Sequence, residues 1–306
     1  MWRIFFSRMK QGHRTVAYPI AAPTLPDRFR GHPVIDPTRC PSGCRECVEA
    51  CPTDAVRFDD KGLGLDLGRC LFCQDCVSAC PERAIRYTSE HRMATRRRED
   101  LLVRGGVLAR AQALDDKMLR LFRRSLKLRQ VSTGGCNGCE AEVNVLGTIV
   151  FDLGRFGIQY VASPRHADGL LITGPVTENM KLALKKTYDA VPPPKIVIAV
   201  GACAISGGPY AGHDEQHDGA GSVVPVDLFI PGCPPHPLTI LDGLLSLLDR
   251  IGPERMGNAV PLESPDHDEK LKWGLAQADE GVKYLGADLG KGPLQGPPVA
   301  GPDKGQ

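Results

Sequence analysis

Hydrophobic and polar positions follow three patterns along the chain. Extended apolar segments at Val34–Asp36, Ala55–Phe58, Leu65–Leu67 and Ala84–Tyr87 bracket two polar, turn-rich stretches. The order strand, loop with short helix, strand thus occurs twice about 30 residues apart, which predicts a small unit with pseudo-two-fold symmetry. From Leu108 the spacing turns helical. Leu108, Ala111, Leu114, Met118, Leu121, Phe122 and Leu126 share one face, and Arg110, Arg120, Arg123, Arg124 and Lys127 occupy the rest. Beyond residue 128 strands alternate with helices. The expected strands are Leu128–Ser132, Gly157–Val161, Gly169–Thr173, Ile196–Val200 and Val226–Ile230. The expected helices are Glu140–Leu153, Glu178–Val191 and Leu238–Ile251. Ile196–Val200 is apolar at every position, as in a parallel strand buried on both faces. Leu238, Leu241, Leu245 and Leu248 form one helix face and Ile240, Leu244, Leu247 and Ile251 the next, so this helix is expected to be largely buried. The alternation predicts an open α/β parallel sheet.

These patterns divide the 306 residues into five stretches. An extended basic arm is expected over 1–33, broken by Pro19, Pro23, Pro26 and Pro33. The repeated unit spans 34–90, a basic helical linker 91–127 and the α/β domain 128–252. In the Gly- and Pro-rich tail, 253–306, periodicity dissolves, and most of it is expected to be disordered. Within the arm, Trp2–Phe6 reads either as a short amphipathic anchor or as a plain terminus. The run Arg96-Arg97-Arg98 reads as a solvated face.

Charge changes the picture. Residues 1–130 carry 25 Lys/Arg against 15 Asp/Glu, and residues 131–306 carry 13 against 21. The basic first half calls for an anionic surface or partner. No nucleic-acid reading motif accompanies it, so a membrane surface or an acidic partner subunit fits better. No stretch approaches ~20 consecutive apolar residues, which excludes a polytopic membrane protein.

Twelve cysteines carry the chemistry. Met1–Arg14 has neither the apolar core nor the cleavage site of a signal peptide. The thiols are therefore expected in a reducing compartment, where tight spacing means metal rather than disulfides. One run is Cys40-x3-Cys44-x2-Cys47-x3-Cys51-Pro52, the other Cys70-x2-Cys73-x2-Cys76-x3-Cys80-Pro81. The second has the spacing of a bacterial [4Fe–4S] run whose fourth Cys ligates the other cluster. With the internal symmetry, one cluster takes Cys40, Cys44, Cys47 and Cys80, the other Cys70, Cys73, Cys76 and Cys51. Structural zinc uses two separated Cys pairs, a different shape. Residues 34–88 resemble a two-cluster ferredoxin, departing from it by one extra residue between Cys40 and Cys44.

The other four cysteines occupy three Gly-rich loops, each after an expected strand: Cys136 and Cys139 in TGGCNGCE, Cys203 in GACAISGG and Cys233 in PGCPPHP. In a parallel sheet such loops gather at the carboxyl edge, so four thiolates can meet there around a third [4Fe–4S] cluster. Glycines let the backbone come close enough to donate N–H groups to sulfur. Glu140 and Glu142, just after Cys139, read as proton carriers or as orienters of the loop. Arg165 reads as facing either the cluster or a partner, or as a structural ion pair. His166, His213, His217 and His236 are assigned loop or surface roles. No G-x-G-x-x-G or P-loop is present.

GCNGCE (135–140), SPRHAD (163–168), TGPVT (173–177), GACAISGG (201–208) and PGCPPHP (231–237) make residues 128–252 similar to the small, cluster-bearing subunit shared by [NiFe] hydrogenases and respiratory complex I. Complex I members carry adjacent cysteines in the first loop. Cys136-Asn-Gly-Cys139 resembles instead the hydrogenase arrangement, and SPRHAD the membrane-associated, energy-converting group that includes formate hydrogenlyase. There the ferredoxin-like part is usually a separate chain.

The resemblance implies an α+β ferredoxin-like domain followed by a flavodoxin-like open α/β domain. Three [4Fe–4S] clusters use all twelve cysteines, which leaves none for nickel. The implied role is therefore electron transfer to the nickel–iron centre of a partner large subunit that reduces protons. Membrane subunits and a donor such as a formate dehydrogenase or a ferredoxin are the implied partners, with the complex on the inner face of the cell membrane. A complex-I-like quinone-reducing module and a soluble multi-cluster carrier are the alternatives.

Overall fold

A computed structural model describes residues 2–12, 14–105 and 111–251, all within one compact unit. The expected tail over 253–306, and Leu108 and Arg110 of the expected linker helix, lie outside the described residues.

The chain opens on a helix, α1 (Trp2–Gln11), where an extended arm was expected. The helix is possible because the first proline of the arm comes only at Pro19. The remainder of the arm packs onto the second half. Val16 N donates to Val150 O at 2.8 Å, and Arg155 Nη2 donates to the carbonyls of Val16 and Tyr18, both at 2.8 Å. Tyr18 is buried, and its hydroxyl meets the Asp242 carboxylate.

The Cys-rich unit contains β1 (Pro33–Ile35), α2 (Glu46–Glu49), β2 (Val56–Asp59), β3 (Gly62–Asp66), α3 (Asp75–Ala79) and β4 (Ile85–Tyr87). β1 and β4 pair antiparallel, Ile35 opposite Ile85. β2 and β3 form an antiparallel hairpin, extended by β5 (Leu102–Val103). The repeat survives in the backbone: Asp54 and Arg83, three residues after Cys51 and Cys80, have φ of 52° and 50°.

The linker departs most from expectation. Residues 91–105 are largely irregular and built into the core, with Met93, Ala94, Leu101 and Val103 buried. Thr95 exchanges two backbone hydrogen bonds with Phe229, at 3.0 and 2.8 Å. Of the Arg run only Arg97 is solvated, paired with exposed Glu99. Arg98 grips both carboxylate oxygens of buried Asp66 at 2.8 and 2.7 Å, and Arg96 reaches the carbonyls of Ala113 and Asp227. The linker helix, α4, covers only Asp116–Phe122. Leu114 N bonds instead to Leu247 O, and Asp115 accepts from Lys117 N and Met118 N, starting the helix there. Leu126 starts the next strand.

Five strands then form one sheet: β6 (Leu126–Ser132), β7 (Ile158–Tyr160), β8 (Gly169–Thr173), β9 (Ile196–Val200) and β10 (Leu228–Ile230). Their order is β10-β9-β8-β6-β7 and every pair is parallel. This is the flavodoxin-like order read from the other edge. The order reverses between β6 and β8, so a crevice opens at their carboxyl ends. The helices are α5 (Gly138–Val145), α6 (Glu178–Ala190), α7 (Ala202–Ser206) and α8 (Pro237–Leu247). α5 and α8 are shorter than expected, but every residue of α8 is buried.

The two halves share a core. Leu65, Leu67, Phe72, Tyr87 and Leu101 pack in one cluster with Ala199, Ala204, Ile205 and Phe229. Ser206 Oγ donates to Gly68 O at 2.7 Å, and a Cβ on Gly68 would lie 2.7 Å from Ile205.

Candidate metal centres

Each Cys run ends in the same short turn. Ala55 N donates to Cys51 Sγ and Ala84 N to Cys80 Sγ, both at 3.2 Å. Phe72 N donates to Cys70 Sγ at 3.3 Å, and the Tyr87 hydroxyl lies 3.2 Å from that sulfur. Thiols of the two runs lie within electrostatic reach of one another. Cys40 and Cys47 interact electrostatically with Cys44 and Cys80, whereas Cys70 and Cys76 interact with Cys51 and Cys73.

The carboxyl edge of the parallel sheet gathers the third set. Cys139 feels Cys203, Cys233 and Cys136. Three loops meet there because their backbones are stitched together. Gly201 N donates to Ile230 O and Ala202 N to Gly232 O, joining the Cys203 and Cys233 loops at 2.8 and 2.9 Å. Thr133 Oγ1 donates to Thr173 O at 2.7 Å, fixing the approach to Cys136. Asn137 takes a left-handed turn (φ 69°), which directs α5 away immediately after Cys136. Gly201 has φ 90°, and a Cβ there would lie 2.4 Å from Cys139 Sγ.

The chemistry of the buried thiols suits a metal group. Burial, reinforced by neighbouring thiols, raises Cys47 to about 11 and Cys203 to about 12. Burial likewise raises Cys70 and Cys76 to about 12 against a hydrogen bond from Tyr87. Four such sulfurs ionise together only against metal charge. Among the described residues no three Cys, His, Asp or Glu groups converge as on a single ion. In a four-iron cluster each thiolate bonds a different iron, so the sulfurs stand around a volume rather than a point.

Glu140 is buried beside the third set. Its Oε1 accepts from Ser132 Oγ at 2.6 Å and Thr173 Oγ1 at 2.7 Å. These are register partners at the ends of β6 and β8, so Glu140 closes the crevice where strand order reverses. Glu142 is half-buried, and burial raises its carboxyl above the usual range. It lines a cavity of about 310 Å³ together with Phe72, Cys233 and His236. Arg165 is exposed, in a turn between β7 and β8. His166 and His213 are exposed, His217 meets Glu178, and His236 caps α8 by accepting from Leu238 N at 3.1 Å. Sequence reasoning passed over Ser132, Thr173 and Tyr87. Tyr87 carried a signal: it stands seven residues after Cys80, as Phe58 stands seven after Cys51.

Residues 136–247 match the family described as NADH ubiquinone oxidoreductase, 20 Kd subunit, and residues 39–84 match the 4Fe-4S dicluster domain. The probable membrane-bound hydrogenase subunit mbhJ of Pyrococcus furiosus is 38% identical over 152 residues, covering 50% of this chain and 91% of that protein. Formate hydrogenlyase subunit 7 of Escherichia coli is 45% identical over 133 residues, 43% of this chain and 51% of that protein. An NADH-quinone oxidoreductase subunit of Geotalea uraniireducens is 45% identical over 132 residues, 42% of this chain and 77% of that protein.

Proposed function

The chain belongs to the NADH ubiquinone oxidoreductase 20 Kd subunit family, and from that premise we propose that it wires electrons within a membrane-associated [NiFe] hydrogenase of the formate-hydrogenlyase type. The observation that carries this reading is Cys136-Asn-Gly-Cys139, the hydrogenase spacing, set in a sheet edge with Cys203 and Cys233.

Twelve cysteines hold three [4Fe–4S] clusters, which when bound supply one-electron transfer at low potential. Cys40, Cys44, Cys47 and Cys80 hold the first, Cys51, Cys70, Cys73 and Cys76 the second, and Cys136, Cys139, Cys203 and Cys233 the third. The chain's own residues shape these sites. The N–H groups of Ala55, Phe72 and Ala84 stabilise thiolate charge. The shared apolar core keeps water from the inner thiols. Glu140 holds the third loop against β6 and β8 and so orients Cys139. The exposed edge around Cys136 and Cys233 faces the partner large subunit, which carries nickel and reduces protons. A formate dehydrogenase or a ferredoxin is the donor.

The complex sits on the inner face of the cell membrane. No helix among the described residues is long and apolar enough to cross a bilayer, so membrane subunits and α1 make the attachment. Trp2, Ile4, Phe5, Phe6 and Met9 of α1 are all more than half exposed, and residues 2–14 carry Arg3, Arg8, Lys10 and Arg14 without one acid. That combination suits an anionic interface.

Anaerobic purification from the host in mild detergent, with metals quantified, tests the reading. Nickel near one per chain, beside roughly twelve irons plus the partner's share, supports it. A complete, nickel-free complex with inhibitor-sensitive quinone reduction overturns it in favour of a complex-I-like role. The 45% identity to a quinone oxidoreductase subunit supports that second reading.

A further inference from the structure

The two Cys runs are close relatives in sequence, and among the places where their symmetry breaks one side chain reaches cluster sulfur with a buried hydroxyl. The segments Cys51–Phe58 and Cys80–Tyr87 correspond position by position: Cys-Pro, the left-handed residues Asp54 and Arg83, the sulfur-binding amides of Ala55 and Ala84, then Val56 or Ile85. They part at the third position, where Thr53 donates its hydroxyl to Arg69 O and the other copy has Glu82, and at the eighth. Tyr87 is 2% exposed and its hydroxyl lies 3.2 Å from Cys70 Sγ, with a further hydrogen bond to Cys76. The Phe72 ring packs against it, with centroids 5.7 Å apart. Phe58 has no hydroxyl and is 43% exposed. By the internal symmetry its place corresponds to Cys40 and Cys47, so the hydroxyl that reaches the second set has no counterpart on Phe58.

We infer that Tyr87 is a positioning residue that makes the group held by Cys51, Cys70, Cys73 and Cys76 easier to reduce than the group held by Cys40, Cys44, Cys47 and Cys80. The physical reason is charge. Metal-bound thiolates only accept hydrogen bonds, so the phenol donates. A donor aimed at cluster sulfur favours whichever state carries more negative charge, which is the reduced one. The phenol keeps its proton at neutral pH, since an ordinary tyrosine ionises only near pH ~10. Burial sharpens the effect, because a hydrogen bond screened from water is electrostatically stronger. The extra residue between Cys40 and Cys44 adds to the asymmetry. The favoured site is also the one beside the third set, for Cys233 feels Cys73.

This inference rests on the three-cluster reading, and the test separates the two. The purified complex is titrated with reductant under anaerobic conditions and followed by low-temperature EPR, with wild type compared with Tyr87→Phe. The expected result is three cluster signals in both proteins, with one midpoint moved to more negative potential in the variant and the other two unmoved. In wild type, pulsed ENDOR on that signal is expected to detect an exchangeable proton that Tyr87→Phe removes. Unchanged midpoints, or an exchangeable proton that survives the substitution, overturn the inference while leaving the clusters in place. Loss of one signal in Tyr87→Phe also overturns it, because Tyr87 would then serve assembly. Absence of all signals in wild type overturns the cluster reading itself.

Discussion

The thiols of Cys73 and Cys233, from opposite halves of the chain, lie close enough that charge on one disfavours charge on the other. On the proposed assignment Cys73 belongs to the second set and Cys233 to the third, so the two sites are neighbours on the exposed side of the joint. Cys203→Ser should remove the third cluster alone. Ser retains the size and helix placement of Cys203, and the Ser206–Gly68 contact stays in place. Iron is expected to fall from roughly twelve to roughly eight per chain. The EPR signal of the second cluster should also narrow as its magnetic neighbour disappears. Loss of iron from every site would show that the halves assemble only together.

Glu140 satisfies two buried hydroxyls at once. Glu140→Ala leaves Ser132 and Thr173 without their acceptor and is expected to cost about 1–3 kcal/mol. Glu140→Gln keeps an acceptor oxygen in place and should recover most of that. Chemical denaturation of the two variants, with retention of the third EPR signal, measures the difference. Equal losses in both would assign the effect to the carboxylate charge instead.

His236 gives the fold an acid limit. Burial holds its imidazole below the usual range, and its Nδ1 is occupied as the acceptor that caps α8. Its folded pKa is lower than its unfolded one, so the unfolded chain takes up the proton first. The stabilisation is therefore complete above about pH 6.5 and shrinks as pH falls below it. His236→Asn keeps a capping acceptor and removes the titration. The melting temperature of wild type should fall more steeply than that of the variant between about pH 7 and 5.5.

α1 should be needed for lipid contact. Replacing Phe5 and Phe6 together by Ser removes two exposed aromatic rings that pack on one another. Binding of this chain, freed of membrane subunits, to vesicles containing anionic lipid is expected to weaken by about tenfold or more. Its iron content should stay unchanged. Binding that persists would place the lipid contact elsewhere on the chain.

Much of this was legible in the sequence because cysteine spacing and period-two or period-3.6 patterns are local signals. The strands Gly169–Thr173 and Ile196–Val200 have the expected limits, and the loop that carries Cys203 follows one of them as expected. What escaped is tertiary. The amphipathic pattern from Leu108 concealed a segment whose Leu114 amide bonds to α8, so the helix begins only at Asp116. Arg98 looked like surface charge because its partner, Asp66, is 32 positions away. The pairing of Ser132 with Thr173 depends on strand order, which no local pattern encodes.

The wall between Gly68 and Ile205 has a consequence for assembly. The P. furiosus relative is matched over nearly its whole length by half of this chain. Where such halves are separate polypeptides, their alignment must be regained at every encounter, and its occupancy depends on dilution. Covalent fusion turns that encounter into an intramolecular event, at an effective concentration that no expression level alters. The Thr95–Phe229 ladder then fixes the register of the joint. The two halves are thereby made in equal number at translation, and neither is left waiting for want of the other.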